Sequence, residues 1–420
     1  MIALLAFCGG YYFLPVGGES YPLFAALFSV QFALFLFIVK GAMAHSLSVR
    51  IIFAVAVTAR LTLLFTDPVL EDDYWRYLWD GRVLANGYNP YAYKPMDSAL
   101  DSLDVEYREK IGFKEFGTIY PPVSMGVFAF SHLLFADSLV GLKFILCFFD
   151  LGTALILLLW LTRFGVAPQW VAMFTLNPLI LKEIANSGHL DSIAMFCSVL
   201  SAYLFSLGKS NGLEKLTGIG WFILGLAALS KWYALSFAPL YWVLDQRRIR
   251  GPVILISTIL AFYLPFIGAG EHLLNGSQAF AQFWVFNAGL FKALQWVIRD
   301  DYIARVASGA LFAGYLMWLS KNIRSIDELP TRLTQLLGAL LLLSPVVNAW
   351  YVLWILPFAV LSRSLPWLAF SYLVIGSYSW WFSQELAPWV RWTEYLILAA
   401  LLFFWRFYKH RIPREGILSV

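Results

Sequence analysis

Apolar runs recur along this chain from one end to the other, and no other feature limits its fold so sharply. Each is about 15–25 residues long, the length a helix needs to cross a hydrocarbon core of about 30 Å. Hydrophobic residues make up 60% of the 420 positions and charged residues 13%, with a mean hydropathy of +0.70. A soluble domain carries about 45–50% apolar and about 25% charged residues. The chain therefore reads as an all-α polytopic membrane protein, a single domain over 1–420 with roughly 12–14 crossing runs.

Several function classes drop out early. The first apolar run, "MIALLAFCGGYYFLPV", has no basic leader and no small-residue cleavage site, so it is expected to stay as a helix. Cys8, Cys147 and Cys197 lie in apolar runs without metal-type spacing, which argues against a disulfide framework and a metal site. The formal charge of +4 is small, and no basic patch is interleaved with aromatics, so nucleic acid is not an expected partner. The partners expected from the surface are membrane lipids. No soluble domain, low-complexity linker or internal repeat is visible.

Orientation follows from Lys and Arg in short loops, which favour the cytoplasmic side. The clearest basic loops are 245–251, 321–332 and the tail 406–414, with weaker ones at 40–50 and 208–215. Counting crossings between them puts the polar islands 67–120, 186–191, 270–301 and 348–351 together on the outer face. The run 121–136 is short and begins Pro-Pro, so it is expected to dip into the membrane.

The densest polar island is "LEDDYWRYLWDGRVLANGYNPYAYKP". Glu71, Asp72 and Asp73 stand where a helix N-terminus favours negative charge. Asn86-Gly87 is a helix stop, and Asn89-Pro90 confirms the break. Between them Asp73, Arg76, Tyr77 and Asp80 fall at i, i+3, i+4 and i+7 and share one face. Trp75, Leu78 and Trp79 point elsewhere, as aromatics at the headgroup level would. The segment is expected to be an amphipathic helix on the outer leaflet. Capping and solvation explain the acids, but not the one-sided face or the Tyr and Pro punctuation after it.

The wording of this island resembles the first outer loop of the GT-C glycosyltransferases. The nearest type is the bacterial polyprenyl-phosphate-mannose-dependent mannosyltransferase, whose loops read much like "DDYWRYLWDGRV…G.NPY". Further similar stretches are "YPP" (120–122), "NPLILKEIANSGHLDS" (177–192), "LSKWYALSFAPL" (229–240), "FNAGLF" (286–291) and "SPVVNAWYVLWILPF" (344–358). Each is weak alone; the ordered set covers most of the chain. The resemblance implies a GT-C transmembrane bundle and an inverting sugar transfer, most simply of mannose. The donor would be a polyprenyl-phosphate sugar and the acceptor a lipid-linked or other glycan. The setting would be the outer face of a bacterial inner (plasma) membrane.

It also implies that a carboxylate in loop 67–120 acts as base on the acceptor hydroxyl. Asp73 precedes Arg76-Tyr77 at the spacing of the related Asp-Glu-x-Arg-Tyr pattern and is the first candidate. The doubled acid leaves the register open by one, so Asp72 stands second. A positioned general base is worth about 10²–10⁴-fold. Cations near the departing lipid phosphate would stabilise the transition state. Arg offers a bidentate grip and Lys a point charge. Arg76, Lys94, His189 and Lys231 are the candidates, with Arg60 and Lys182 behind them.

Tyr77, Asp80 and Asp191 complete the substrate- and phosphate-binding set. A lone His near a membrane surface is more often a packing residue. Yet Lys182, Glu183, His189 and Asp191 crowd one helix end, and ionisable groups at the membrane edge point to function. Lys231 could simply snorkel, and Lys143 and Asp150, seven apart, are expected to pair. No cofactor is required, although a divalent cation, Mg or Mn, could sit on Asp72 and Asp73. Two other classes fit a many-helix chain: a lipid-linked-sugar transporter or flippase, and a glycan polymerase or ligase. The first would show paired broken helices, the second its charges in a large later loop.

Overall fold

The computed structural model describes residues 1–44 and 47–408, and among them it forms helices and no β-strand. The basic tail from position 409, and positions 45 and 46 of the 40–50 loop, lie outside the described residues. The helices used below are α1 (Tyr21–Met43), α2 (Val49–Leu64), α3 (Asp73–Ala85), α4 (Pro122–Phe135), α5 (Leu139–Arg163), α6 (Asp191–Ser210), α7 (Glu214–Ala228) and α8 (Arg250–Tyr263).

Among the described residues five helical stretches are long and apolar enough to cross a membrane: Gly18–Ala42, Leu139–Arg163, Asp191–Ser210, Arg250–Phe283 and Asp301–Asn322. With them the chain is an all-α membrane protein. Other apolar runs are divided into shorter helical pieces, often at a proline near a helix start, as at Pro330, Pro357 and Pro366. Proline is tolerated there because the first-turn N–H has no intrahelical partner. The short run after "YPP" is α4, 14 residues. At about 1.5 Å per residue it reaches only about 21 Å, less than a hydrocarbon core.

Two compact units make up the described chain. One comprises residues 1–70, 151–186 and 285 onward, and the other 71–150 and 187–284. In the first, Arg60 of α2 is buried and donates to the carbonyls of Ala56 and Thr175, 2.9 Å each. Lys182 lies on a π-helical turn, Leu181–Asn186, and donates to the Tyr378 hydroxyl at 2.6 Å. Asn186 closes the same unit by donating to Thr66 and to the Asp67 carbonyl.

The second unit contains the polar island. Helix α3 begins after Asp72 and ends at Asn86, with Gly87 at φ +83°, a left-handed stop that favours glycine. Tyr77, Leu78, Trp79, Asp80, Gly81 and Val83 are buried along it. Gly81 makes the close packing on α4 feasible: a Cβ there would lie 2.5 Å from the carbonyl oxygen of Phe128. On its other side Trp79 and Val83 join Leu100, Leu103 and Ile111 in a small core. Arg108 sits over the Trp79 ring and Lys110 over Trp75, at 5.0 and 4.9 Å. Trp79, expected to face headgroups, is thus covered by the loop that follows, because residues 98–111 supply the apolar partners that lipid would otherwise offer.

Helices α6 and α7 pack as an antiparallel pair, with Ser201 donating to the Gly220 carbonyl at 2.7 Å. The start of α4 is tied to the end of α7: the Val123 N–H and the Ser124 hydroxyl donate to the carbonyls of Leu229 and Ser230, 2.9 Å each. That tie holds Lys231, the next residue, against the site.

Candidate active site

Three consecutive acids lead into α3, Glu71 and Asp72 before it and Asp73 as its first residue, and each has a different environment. Glu71 is buried. Its Oε1 accepts from the N–H groups of Asp72 and Asp73 at 3.0 and 2.9 Å. These are first-turn amides without an intrahelical acceptor, so Glu71 caps the helix. Asp72, the residue at the cap position itself, makes no such side-chain bond and is exposed. Asp73 is half-buried.

His189 reaches the same place from the "NSGHLD" turn. Gly188 there has φ +77°, and a Cβ on it would press within 3.1 Å of the Lys143 side chain. Nε2 of His189 lies 2.8 Å from Oε2 of Glu71, and Nδ1 lies 3.3 Å from the Tyr77 hydroxyl. The Tyr77 hydroxyl is also 3.5 Å from Oδ2 of Asp73. Tyr77 has one proton to donate. With His189 neutral and its proton facing Glu71, that proton serves His189. With His189 doubly protonated, Nδ1–H donates to Tyr77 and Tyr77 donates to Asp73. The four groups therefore form one chain, Glu71–His189–Tyr77–Asp73, whose protons can shift together.

Electrostatics sharpens the role of Asp73. Burial first, and then the charge of Glu71, push its carboxyl up to about 7, opposed by His189 and Lys231. Asp72 is raised less, to about 6, by desolvation from the protein packed around the start of α3 and then by the charge of Glu71. Burial holds the Tyr77 and Tyr120 hydroxyls far above their ordinary range, so both stay protonated. A carboxylate that titrates near neutrality suits acid–base work.

Asp191, at the start of α6, is fully buried and pairs with Lys231 at 2.7 Å. Asp73, His189, Asp191, Lys231 and Tyr77 are thus brought together as the sequence suggested. Arg76 turns inward: Nε bonds to Asp80 at 2.9 Å and Nη2 to the Phe116 carbonyl at 3.2 Å. Asp80 is 2% exposed, and burial raises its carboxyl despite that pairing, so it holds Arg76 and does not face outward. Lys94 is exposed, and its backbone N–H bonds to Asp97; no described hydrogen bond or ion pair joins its side chain to the cluster. Arg60 and Lys182 belong to the other unit, with the partners given above. Lys143 and Asp150 are both fully buried on α5.

Glu71 is the member that sequence reading treated only as a capping acid. Its second role depends on a contact 118 positions away, which no local spacing records. One oxygen or nitrogen from each of Glu71, Asp73 and His189 lies within 4.8 Å of the others. These are residue types that hold divalent cations, with Glu71 in the place expected for Asp72.

Apolar helices of membrane-crossing length and an ionisable cluster at the start of α3 mark a membrane protein with charged groups gathered in one place. Its family follows from comparison with known proteins. Residues 21–245 match the family model described as "Alpha-(1->6)-mannopyranosyltransferase, N-terminal domain". The match covers more than half of the chain, and the chain belongs to that family: it is a mannosyltransferase of the GT-C type. No curated protein and no solved structure matched. Membership decides for a glycosyltransferase over a transporter.

Proposed function

We propose that this protein is an inverting mannosyltransferase that moves mannose from a polyprenyl-phosphate donor to a hydroxyl of a lipid-linked or other glycan acceptor. The work is done on the outer face of a bacterial inner membrane, and the family description favours an α-1,6 product. One observation carries the reading: the half-buried Asp73 carboxylate stands beside the buried Glu71–His189 pair, whose charge and surroundings raise it to about 7.

In the proposed step the acceptor hydroxyl gives its proton to Asp73 as its oxygen attacks the anomeric carbon. The bond from that carbon to the phosphate oxygen breaks, and polyprenyl phosphate leaves with the electron pair. An α-linked product from a single displacement requires a β-configured donor. Lys231 is 19% exposed and within electrostatic reach of Asp73, which suits it to meet the growing phosphate charge. Arg76, held by Asp80 and the Phe116 carbonyl, would offer Nη1 as a fixed donor.

The test is transfer from labelled polyprenyl-phosphate mannose by Asp73→Asn and Asp72→Asn in membranes. Asn keeps the size and loses the base. D73N should lower kcat by at least about 10²-fold, whereas D72N should retain activity within a few fold. Activity of D73N close to wild type would remove Asp73 as base. If D72N alone were inactive, the register would shift by one.

A further inference from the structure

We infer that the basic end of α6, α7 and α8 holds a binding site for the phosphodiester headgroup of an anionic phospholipid. The cavity there is about 300 Å³, at the small end of ligand pockets. It is lined by Lys209, Glu214, Trp221, Asp245, Arg248 and Arg250, among others. Along α6 it lies about 27 Å from Asp191, at about 1.5 Å per residue, so it is separate from the transfer chemistry.

The charges do not cancel. Asp245 is buried, accepting from Lys209 at 3.0 Å and from the Trp221 indole N–H at 3.3 Å. That pair is internally neutral. Arg248 and Arg250 both lean on the single carboxylate of Glu214, Arg250 at 3.6 Å. Two guanidinium groups share one negative charge, which leaves one positive charge in excess at the cavity mouth. A monoanionic phosphodiester, with two non-bridging oxygens for an arginine fork, is the complementary group.

The hydrocarbon side agrees independently. Ile249, Val253, Ile256 and Leu260 are all exposed. They recur at i, i+4, i+7 and i+11, so they make one apolar stripe running down α8 from the cavity. A headgroup seated between Arg248 and Arg250 would lay its acyl chains along that stripe. The stripe belongs to a stretch long and apolar enough to cross a membrane, so a bilayer lipid can reach the cavity with its headgroup while its chains stay beside α8; a soluble phosphate would touch the cavity alone. Gly218 lines the cavity beside the arginine: a Cβ there would meet Arg250 Nη2 and Ile254 Cδ1 in ordinary contact at 3.6 Å, so a larger side chain would enter the space.

The experiment is native mass spectrometry of the full chain, purified in mild detergent, delipidated, and titrated with phosphatidylglycerol or phosphatidylcholine of matched acyl chains. Phosphatidylglycerol should bind at least about tenfold tighter than phosphatidylcholine. That preference should vanish in R248Q/R250Q, which removes the fork, and in G218L, which fills the cavity while keeping every charge. Glycerol 3-phosphate should not compete. Equal retention of the two lipids, or an undiminished preference in both variants, overturns the site. Competition by glycerol 3-phosphate as strong as by the lipid would make it a free-phosphate pocket and refute the lipid assignment.

Discussion

Replacing Glu71 by Gln should move the acid limb of the pH–rate profile downward by about one unit. Gln has the same shape, and its amide oxygen can still accept from the N–H groups of Asp72 and Asp73, so the start of α3 keeps its cap. What disappears is a negative charge whose carboxylate approaches that of Asp73 within 4.8 Å. Two unit charges at that distance repel by about 3.5 kcal/mol at an effective dielectric of about 20, and by about 0.9 kcal/mol in bulk water. At about 1.36 kcal/mol per unit the span is roughly 0.6–2.5 units. Because Asp73 is half-buried, the movement lies between these limits and toward the screened one, at about one unit.

A second effect opposes the first. Without Glu71 the imidazole of His189 loses the partner that favours its cationic form, and that cation lowers the Asp73 carboxyl. The Glu71 contribution is the larger of the two, so the net movement stays downward. The Gln amide N–H would also face Nε2, fixing the neutral ring with its proton on Nδ1 toward Tyr77, so Tyr77 would donate to Asp73. The assay is kcat/KM against pH with lipid-linked donor, which reports the free enzyme's base. Wild type should lose activity as pH falls through about 7, and E71Q through about 6. The plateau should fall a few fold, since a weaker base takes a proton less readily. A superimposable profile, or a limb moved upward, would refute the electrostatic coupling; a lowered plateau with an unmoved limb would leave Glu71 a cap alone.

Three other perturbations follow from the same geometry. Gly81→Ala places a methyl group 2.5 Å from a backbone carbonyl of α4, so α3 must shift at a cost of about 1–3 kcal/mol; thermal unfolding should show the loss and transfer should fall with it, and a wild-type Tm would contradict the packing. Lys231→Met removes the cation 2.7 Å from a fully buried Asp191 carboxylate, a change of about 3 kcal/mol or more. Adding Asp191→Asn should restore Tm without restoring transfer, and full transfer by the double variant would exclude Lys231 from the phosphate. Extensive chelation should leave most activity, because Glu71 Oε1 already accepts two N–H groups and both ring nitrogens of His189 have partners; loss on chelation with recovery by Mg or Mn would instead assign the Glu71–Asp73–His189 group to a cation.

Much of α3 was legible because its signals are local. Acids at one end, Asn86-Gly87 at the other and a four-residue polar face require only helix geometry, and the helix runs Asp73–Ala85 as they indicate. Convergence of His189, Asp191 and Lys231 on that helix was suggested by the resemblance and by the rarity of charges in so apolar a chain. The direction of each charge was not legible. Arg76 pairs with Asp80 one turn on, so the Arg76–Asp80 part of the shared polar face is turned inward. Trp79 is buried because residues 98–111 fold back over it, and that return depends on Leu100, Leu103 and Ile111, which carry no helical periodicity.

The tripled acid has a physical logic that the individual residues hide. A carboxylate at a helix start is usually drawn onto the first-turn amides, and those bonds favour its charged form. An acid bound in that way would be a poor base near neutrality. Here Glu71 takes the amides with one oxygen and His189 with the other, while Asp72 at the cap position makes no capping bond. Asp73 is thereby kept off the amides, next to the buried negative charge that raises its carboxyl and one turn from the Tyr77 hydroxyl. Shortening the run by one acid would force a choice between capping the helix and keeping a base. In "EDD" Glu71 caps the helix and leaves both aspartates off the amides; Asp73, the less exposed of the two and within 3.5 Å of the Tyr77 hydroxyl, is the one proposed as base.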